Sequence, residues 1–307
     1  MYCYNVNLLL LLLLIIININ GKLIKRNIDV INNLFKKNLL NIISISTSVC
    51  TINSKISIAE TKLPSAIILN DDQYKKSLFN IPPTELIYPN WILGDWESNY
   101  KFDGAGFTDK LDFKILSKDV NIAGFRKYSV AFMPDIGQDF NTKMRFINRN
   151  NKVVEDLQYN LISIIETQQK NVNCKVHDFV YDPTNNPNRL GFKYDDNKGN
   201  GQIEIFINDR KNTLKDNYYK SITTLRQSSV RRREDLLSSN GGLKYAASQV
   251  LCYYAIETTL NYNKNDDQID GIFRIFSYLQ PQDSLYFILP DRPVSFFQYK
   301  INMIRNI

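Results

Sequence analysis

The chain has a single histidine, His177, in 307 residues. Imidazole is the usual general base near neutral pH and the commonest metal ligand, so this scarcity narrows the chemistry on offer. Cys174 lies three positions before His177, and in an extended strand the two side chains face opposite sides, which argues against a Cys–His pair. No glycine-rich phosphate loop follows a strand, and no G-x-S-x-G elbow occurs. No metal site, cofactor or catalytic group is therefore expected. Asparagine is abundant, yet no N-x-[ST] acceptor exists, which disfavours an extracellular glycoprotein. The longest opening apolar run, Leu8 to Ile17, has ten residues, too few for the roughly 20 that span a bilayer, so the mature protein is not expected to be transmembrane.

What is present is an ordinary globular balance, 44% hydrophobic and 22% charged, enriched in Asn, Ile, Lys and Tyr. The net charge of +7 invites a nucleic-acid reading, but residues 1–59 hold six basic residues and one acid. The remainder is close to neutral, without the broad basic footprint that phosphate binding needs, so no nucleic-acid partner is expected. The one dense basic cluster, Arg231 to Arg233, reads as a solvated strand end or a contact for an anionic partner.

Three segments are expected: a targeting leader over 1–59, disordered or helical; a linker over 60–87; and a folded domain over 88–307. The Leu8–Ile17 run has the length of a signal-peptide core, and the Ser-, Thr-, Asn- and Lys-rich stretch after it has the composition of a transit peptide. That order suggests entry into a plastid bounded by extra membranes. A weaker apolar stretch from Leu39 to Ile52, ending near Ser57-Ile58-Ala59, would suit a further step into the thylakoid lumen. Cys3 and Cys50 would be lost with the leader. Cys174 and Cys252 remain in predicted strands, as buried thiols or as a disulfide.

The body reads as all-β. "FQYKINM" alternates Phe297, Tyr299, Ile301 and Met303 with polar residues, and "GQIEIFIND" alternates Ile203, Ile205 and Ile207. "YKSITTLRQSSV", "VLCYYAIETTL" and "GIFRIFSYL" are rich in β-branched and aromatic types. Between such runs sit predicted turns, among them Asp103-Gly104, "DPTNNPNR", "DDNKGNG", "NDRKN" and "NKNDDQIDG". Amphipathic helical periodicity is scarce, with a short helical turn conceivable between Arg233 and Gln249. About ten strands are expected in an antiparallel up-and-down β-barrel, whose closure removes exposed edges. Paired carboxylates such as Asp195-Asp196 and Asp266-Asp267 read as turn formers.

Gly94-x-Trp96 resembles the element that opens the first strand of lipocalins and related calycins. That resemblance implies a base plug by the Trp96 indole, with Arg305 at the end of the last strand as a cation–π lid; ordinary core packing of Trp96 is the alternative. A wider resemblance, to an uncharacterised family of plastid and cyanobacterial proteins, rests on three motifs. Tyr88, Pro89, Trp91, Gly94 and Trp96 match its YPxW…GxW opening. Asp182, Pro183, Asn186, Pro187, Asn188 and Arg189 match a DPxNPNR turn with one extra asparagine. Arg292, Pro293, Val294, Tyr299 and Ile301 match an RPV…YxYxL ending, with Phe297 where that family prefers tyrosine. The turn reads as a hairpin pin or as a grip for an anionic head group at the barrel rim.

The functional expectation is a non-catalytic, lipocalin-like plastid protein that binds a small apolar ligand such as a pigment or lipid. The alternatives are an assembly or maintenance factor for a thylakoid membrane complex and, lower, a barrel enzyme acting on an isoprenoid or lipid.

Overall fold

Alternation decides most of the architecture. In strand β1 (Gly94–Phe107), Trp96, Ser98 and Tyr100 are buried while Asp95, Glu97 and Asn99 are exposed, so successive residues divide between a core face and an outer face. The computed structural model describes residues 65–76, 84–233 and 246–306. The remaining strands are β2 (Phe140–Arg149), β3 (Lys152–Glu155), β4 (Lys175–Asp182), β5 (Asn186–Asp196), β6 (Gly199–Lys215), β7 (Tyr218–Arg233), β8 (Ala246–Asn263), β9 (Gln268–Tyr278) and β10 (Pro293–Arg305). Among the described residues three α-helices accompany them: α1 (Ser65–Asn70), α2 (Phe113–Leu116) and α3 (Leu157–Gln168).

All ten strands form one antiparallel sheet in the order β3-β2-β1-β10-β9-β8-β7-β6-β5-β4, curled into a half-barrel. Every neighbouring pair is consecutive in sequence except one: β1 zips along β10 from Trp96 opposite Arg305 to Phe107 opposite Ser295. First and last strands therefore lie mid-sheet. The ladder does not continue from β3 to β4, so closure by strand pairing, as expected of a barrel, is replaced by another device.

That device is α3, which lies in the chain between the two edge strands. Asp156 caps its N-terminus, and Leu157, Leu161, Ile164 and Ile165 turn into the core at helical spacing. Its polar residues complete the sheet edges. Asn160 accepts from the Arg145 backbone N–H at 2.7 Å and donates to the Arg145 carbonyl at 3.2 Å, and Ser163 accepts from the Lys143 N–H at 3.1 Å. On the far side Glu166 accepts from the Val176 N–H of β4 at 3.2 Å. Exposed ladder groups are thus satisfied by helix side chains instead of a closing strand.

The outer face carries its own small core. Leu69 and Tyr74, in the stretch expected to be linker, are buried against Ala255, Phe276, Tyr278 and Phe296. Beneath them Glu257 is fully buried, holding Lys220 at 2.8 Å, Arg274 at 2.7 Å and the Tyr74 hydroxyl at 2.6 Å. The folded part therefore begins before Tyr88, because residues 65–76 cover apolar and charged surface of β7 to β10.

Further local differences share a cause. Asp103-Gly104 and "NDRKN" read as turns, but the strands run through both, with register shifts between Phe102 and Gly104 and between Ile207 and Asp209. Gly, Asn and Asp serve β-bulges as readily as turns, so composition alone does not separate the two. Arg231 is not solvated: it bonds both oxygens of Asp196, at 2.6 and 2.7 Å, and Asp196 is itself buried and accepts from Tyr128. The side chains of Arg232 and Arg233, the leader, Pro82-Pro83 and residues 234–245 of the suggested helical turn lie outside the described residues.

Candidate functional site

The core faces of β1, β2 and β6 to β10 leave a cavity of about 100 Å³ inside the half-barrel. Its wall is mainly apolar, with Tyr100, Met144, Ile207, Ile256, Phe273 and Ile301 placed there by strand alternation. The polar lining includes Glu85, Glu155, Tyr181 and Arg210.

Two segments close the space. The chain before β1 is laced to the barrel by Tyr88, whose N–H donates to the Val153 carbonyl at 2.8 Å and whose ring stacks on Tyr219 at 4.6 Å. Asn212 donates to the Ile87 carbonyl at 2.9 Å, and Arg210 donates to the carbonyls of Thr84 and Pro187, both at 3.2 Å. The long connection between α2 and β2 folds inward, with Tyr128, Val130, Ala131 and Met133 buried and Phe132 on the cavity wall. Gln227 anchors it, accepting from the Ala131 N–H at 2.8 Å and from the Tyr254 hydroxyl at 2.7 Å.

Glu155 is the unusual group. Burial raises its carboxyl above the ordinary value, against hydrogen bonds from Asn160 at 3.1 Å and Tyr88 at 3.2 Å that favour the charged form. Glu85 is neutralised by Arg149 at 2.6 Å. The phenols of Tyr88 and Tyr100 are held above their usual range by burial and stay neutral.

The residues singled out in the sequence fall in three places. At one end of the barrel the Arg305 guanidinium lies 4.3 Å over the buried Trp96 indole, donates to the carbonyls of Leu93 and Trp91, and pairs with Asp267 at 2.7 Å. Gly94 is required beneath it, since its φ is +118° and a Cβ there would meet the Arg305 Nη1 at 3.0 Å. Trp91 stacks on Tyr262 and donates to the Asp216 carbonyl, and Pro89 precedes this turn. The second motif is the β4–β5 hairpin: Asp182 accepts from the N–H groups of Thr184 and Asn185 across Pro183, which keeps its carboxyl below the ordinary value, and Asn186 pairs with it. Arg189 reaches Glu204 at 3.4 Å, the Asn188 side-chain oxygen has no hydrogen-bond partner among the described residues, and Pro187 holds Arg210. In the third, Arg292 bonds the Asn70 carbonyl and Asp72, Pro293 opens β10, Val294 is buried, and the Tyr299 hydroxyl accepts from the Gly137 N–H at 2.6 Å. Of the residues in the three motifs, Tyr88 and Ile301 line the cavity.

Arg210 and Glu155 were not singled out in the sequence. Arg210 sits in a presumed turn, and Glu155 in a run that signals no particular chemistry. His177 is exposed, 3.1 Å from Asp195, whereas Cys174 and Cys252 are both buried free thiols. Among the described residues no cluster of three or more His, Cys, Asp or Glu is placed to hold a metal, and no helix is long and apolar enough to cross a membrane.

A family model described as a domain of unknown function (DUF6816) matches residues 80–307, most of the chain and all ten strands. The chain belongs to this family. No curated protein and no solved structure matches it. The family domain begins before Tyr88, so it takes in the segment 84–92 that closes the cavity.

Proposed function

We propose that this member of the family is a non-catalytic plastid protein whose half-barrel takes one small apolar molecule into its core cavity. The observation that carries the reading is the cavity itself, apolar along most of its wall and bounded by two separate segments of chain. Its volume of about 100 Å³ narrows the occupant. Sites for drug-sized molecules run from ~300 to ~1,000 Å³, so a slender chain suits this cavity better than a ring-system pigment. The plastid assignment rests on the leader: a short apolar run followed by an acid-poor, hydroxyl-rich stretch. Arrival in the thylakoid lumen is the finer form of the same proposal.

Native mass spectrometry of the protein purified from plastids is the test. A bound mass that solvent extraction releases, and that Ile256→Phe abolishes by filling the cavity, supports the reading. Protein that is always empty, with Ile256→Phe indistinguishable from the wild type, overturns it.

A second reading, an assembly or maintenance factor for a thylakoid membrane complex, is favoured by a different observation. Phe287 is 87% exposed and Ile288 52%, beside an apolar cluster that Leu116 and Leu289 share, while Phe113 and Ile115 are exposed on α2. Protruding apolar side chains gathered on one part of a domain mark interaction sites. Co-migration with a photosynthetic complex on native gels, lost in Phe287→Ser with Ile115→Ser, would favour this second reading.

A further inference from the structure

Arg210 is the one cationic side chain on the cavity wall. Its Nη1 is occupied by the carbonyls of Thr84 and Pro187, and among the described residues it forms no ion pair. The two acids that share the wall are engaged elsewhere, Glu85 with Arg149 and Glu155 with Tyr88 and Asn160. The half-buried guanidinium feels Glu155 only at a distance, and an anion supplied by a ligand would give it a direct partner.

The two carbonyls engage Nη1, which leaves the Nε–Nη2 edge, with the Tyr181 hydroxyl as its neighbour, to match the two oxygens of a carboxylate. A dianionic phosphate would meet the nearby acids Glu85 and Glu155, whereas a monoanion brings half that repulsion. The rest of the wall accepts hydrocarbon. We infer that the cavity binds a single-chain carboxylic acid, its carboxylate on Arg210 and its chain among Tyr100, Ile256 and Phe273. This rests on the cavity being a ligand site, and the experiment separates the two claims.

The probes are octanoate and octan-1-ol, which share a chain and differ at the polar end. Each is titrated by calorimetry into the full chain, wild type and Arg210→Gln. The expected result is octanoate binding about tenfold more tightly than octanol to the wild type, the preference of a charge-assisted pair over a neutral one, with that ratio collapsing in Arg210→Gln. The ratio is read because Arg210 also tethers residues 84 and 187, and loosening of the fold weakens both ligands alike. Octanoate and octanol binding equally well to the wild type would overturn the acid while leaving the cavity reading intact. A preference that survives in Arg210→Gln would overturn the assignment to Arg210, and failure of both ligands to bind would remove both claims.

Discussion

The Arg305 guanidinium stands 4.3 Å above the Trp96 indole, and its Nε, Nη1 and Nη2 donate to Asp267 and to the carbonyls of Leu93 and Trp91. One side chain thus ties the end of β10 to the turn before β1. Removing it exposes an aromatic face and strands two carbonyls. Arg305→Gln is expected to cost roughly 2 kcal/mol. Urea denaturation should show the loss, with a red shift of tryptophan emission in the folded baseline; an unchanged midpoint would mean the contact is incidental.

Asn160 acts as a substitute ladder residue for the free edge of β2. It is fully buried and bonds the Arg145 N–H, the Arg145 carbonyl and Glu155. Asn160→Leu keeps the size but leaves the Arg145 N–H unpaired and takes one donor each from the Arg145 carbonyl and Glu155, which keep Asp156 and Tyr88, so a loss of about 2 kcal/mol is expected. Amide exchange at Arg145 should speed up more than at central strands. Uniform acceleration across the sheet would contradict an edge role.

Glu257 lies under Tyr74 with two cations for partners. Glu257→Gln leaves Lys220 and Arg274 without their shared anion, and breaking a buried pair of this kind costs about 3 to 5 kcal/mol. The loss should also free residues 65–76, so limited proteolysis there ought to accelerate. Protection equal to the wild type would show that the segment is held by apolar contacts alone.

The pH dependence follows from Glu155, whose folded-state carboxyl lies above the ordinary value of 4.5 because of burial. A raised carboxyl binds its proton more tightly when folded. Its contribution is therefore greatest below 4.5 and is lost as pH rises through the folded value. Arg210, Tyr88 and Asn160 limit the shift without reversing it. Glu155→Gln cannot ionise, so its thermal midpoint should gain on the wild type as pH rises from 4.5 to 7. A constant difference across that range would exclude the linkage.

Cys174 and Cys252 are buried thiols pushed up to about 11 and about 12 by burial. Neither forms thiolate at pH 8, so neither should react with a thiol reagent until the protein is unfolded. Both should then react without reductant; silence in denaturant would indicate a disulfide instead.

Strand periodicity was strong where one face is buried and the other wet, as in Phe297 to Met303, and those segments are strands. The spacing of Leu157, Leu161, Ile164 and Ile165 behind Asp156 was equally readable as a helix, but its isoleucines also suit strands and its neighbours are all strands. The cavity's polar groups were not legible. Glu155, Arg210 and Tyr181 come from distant segments and meet through sheet curvature, which no local pattern encodes. Glu257 was hidden for the same reason, since its partners lie in β7, β9 and the stretch before the domain's first strand.

The pairing of β1 with β10 has a consequence for how the domain is made. Because the tenth strand belongs inside the sheet between β1 and β9, β1 waits on the ribosome without its partner on that side until β10 has emerged. Such distant pairing slows folding, since a long loop must close before the contact rewards it. Trimming the C-terminus by one strand would therefore split the barrel into two unequal sheets, β3-β2-β1 and β9 to β4, instead of shaving its rim.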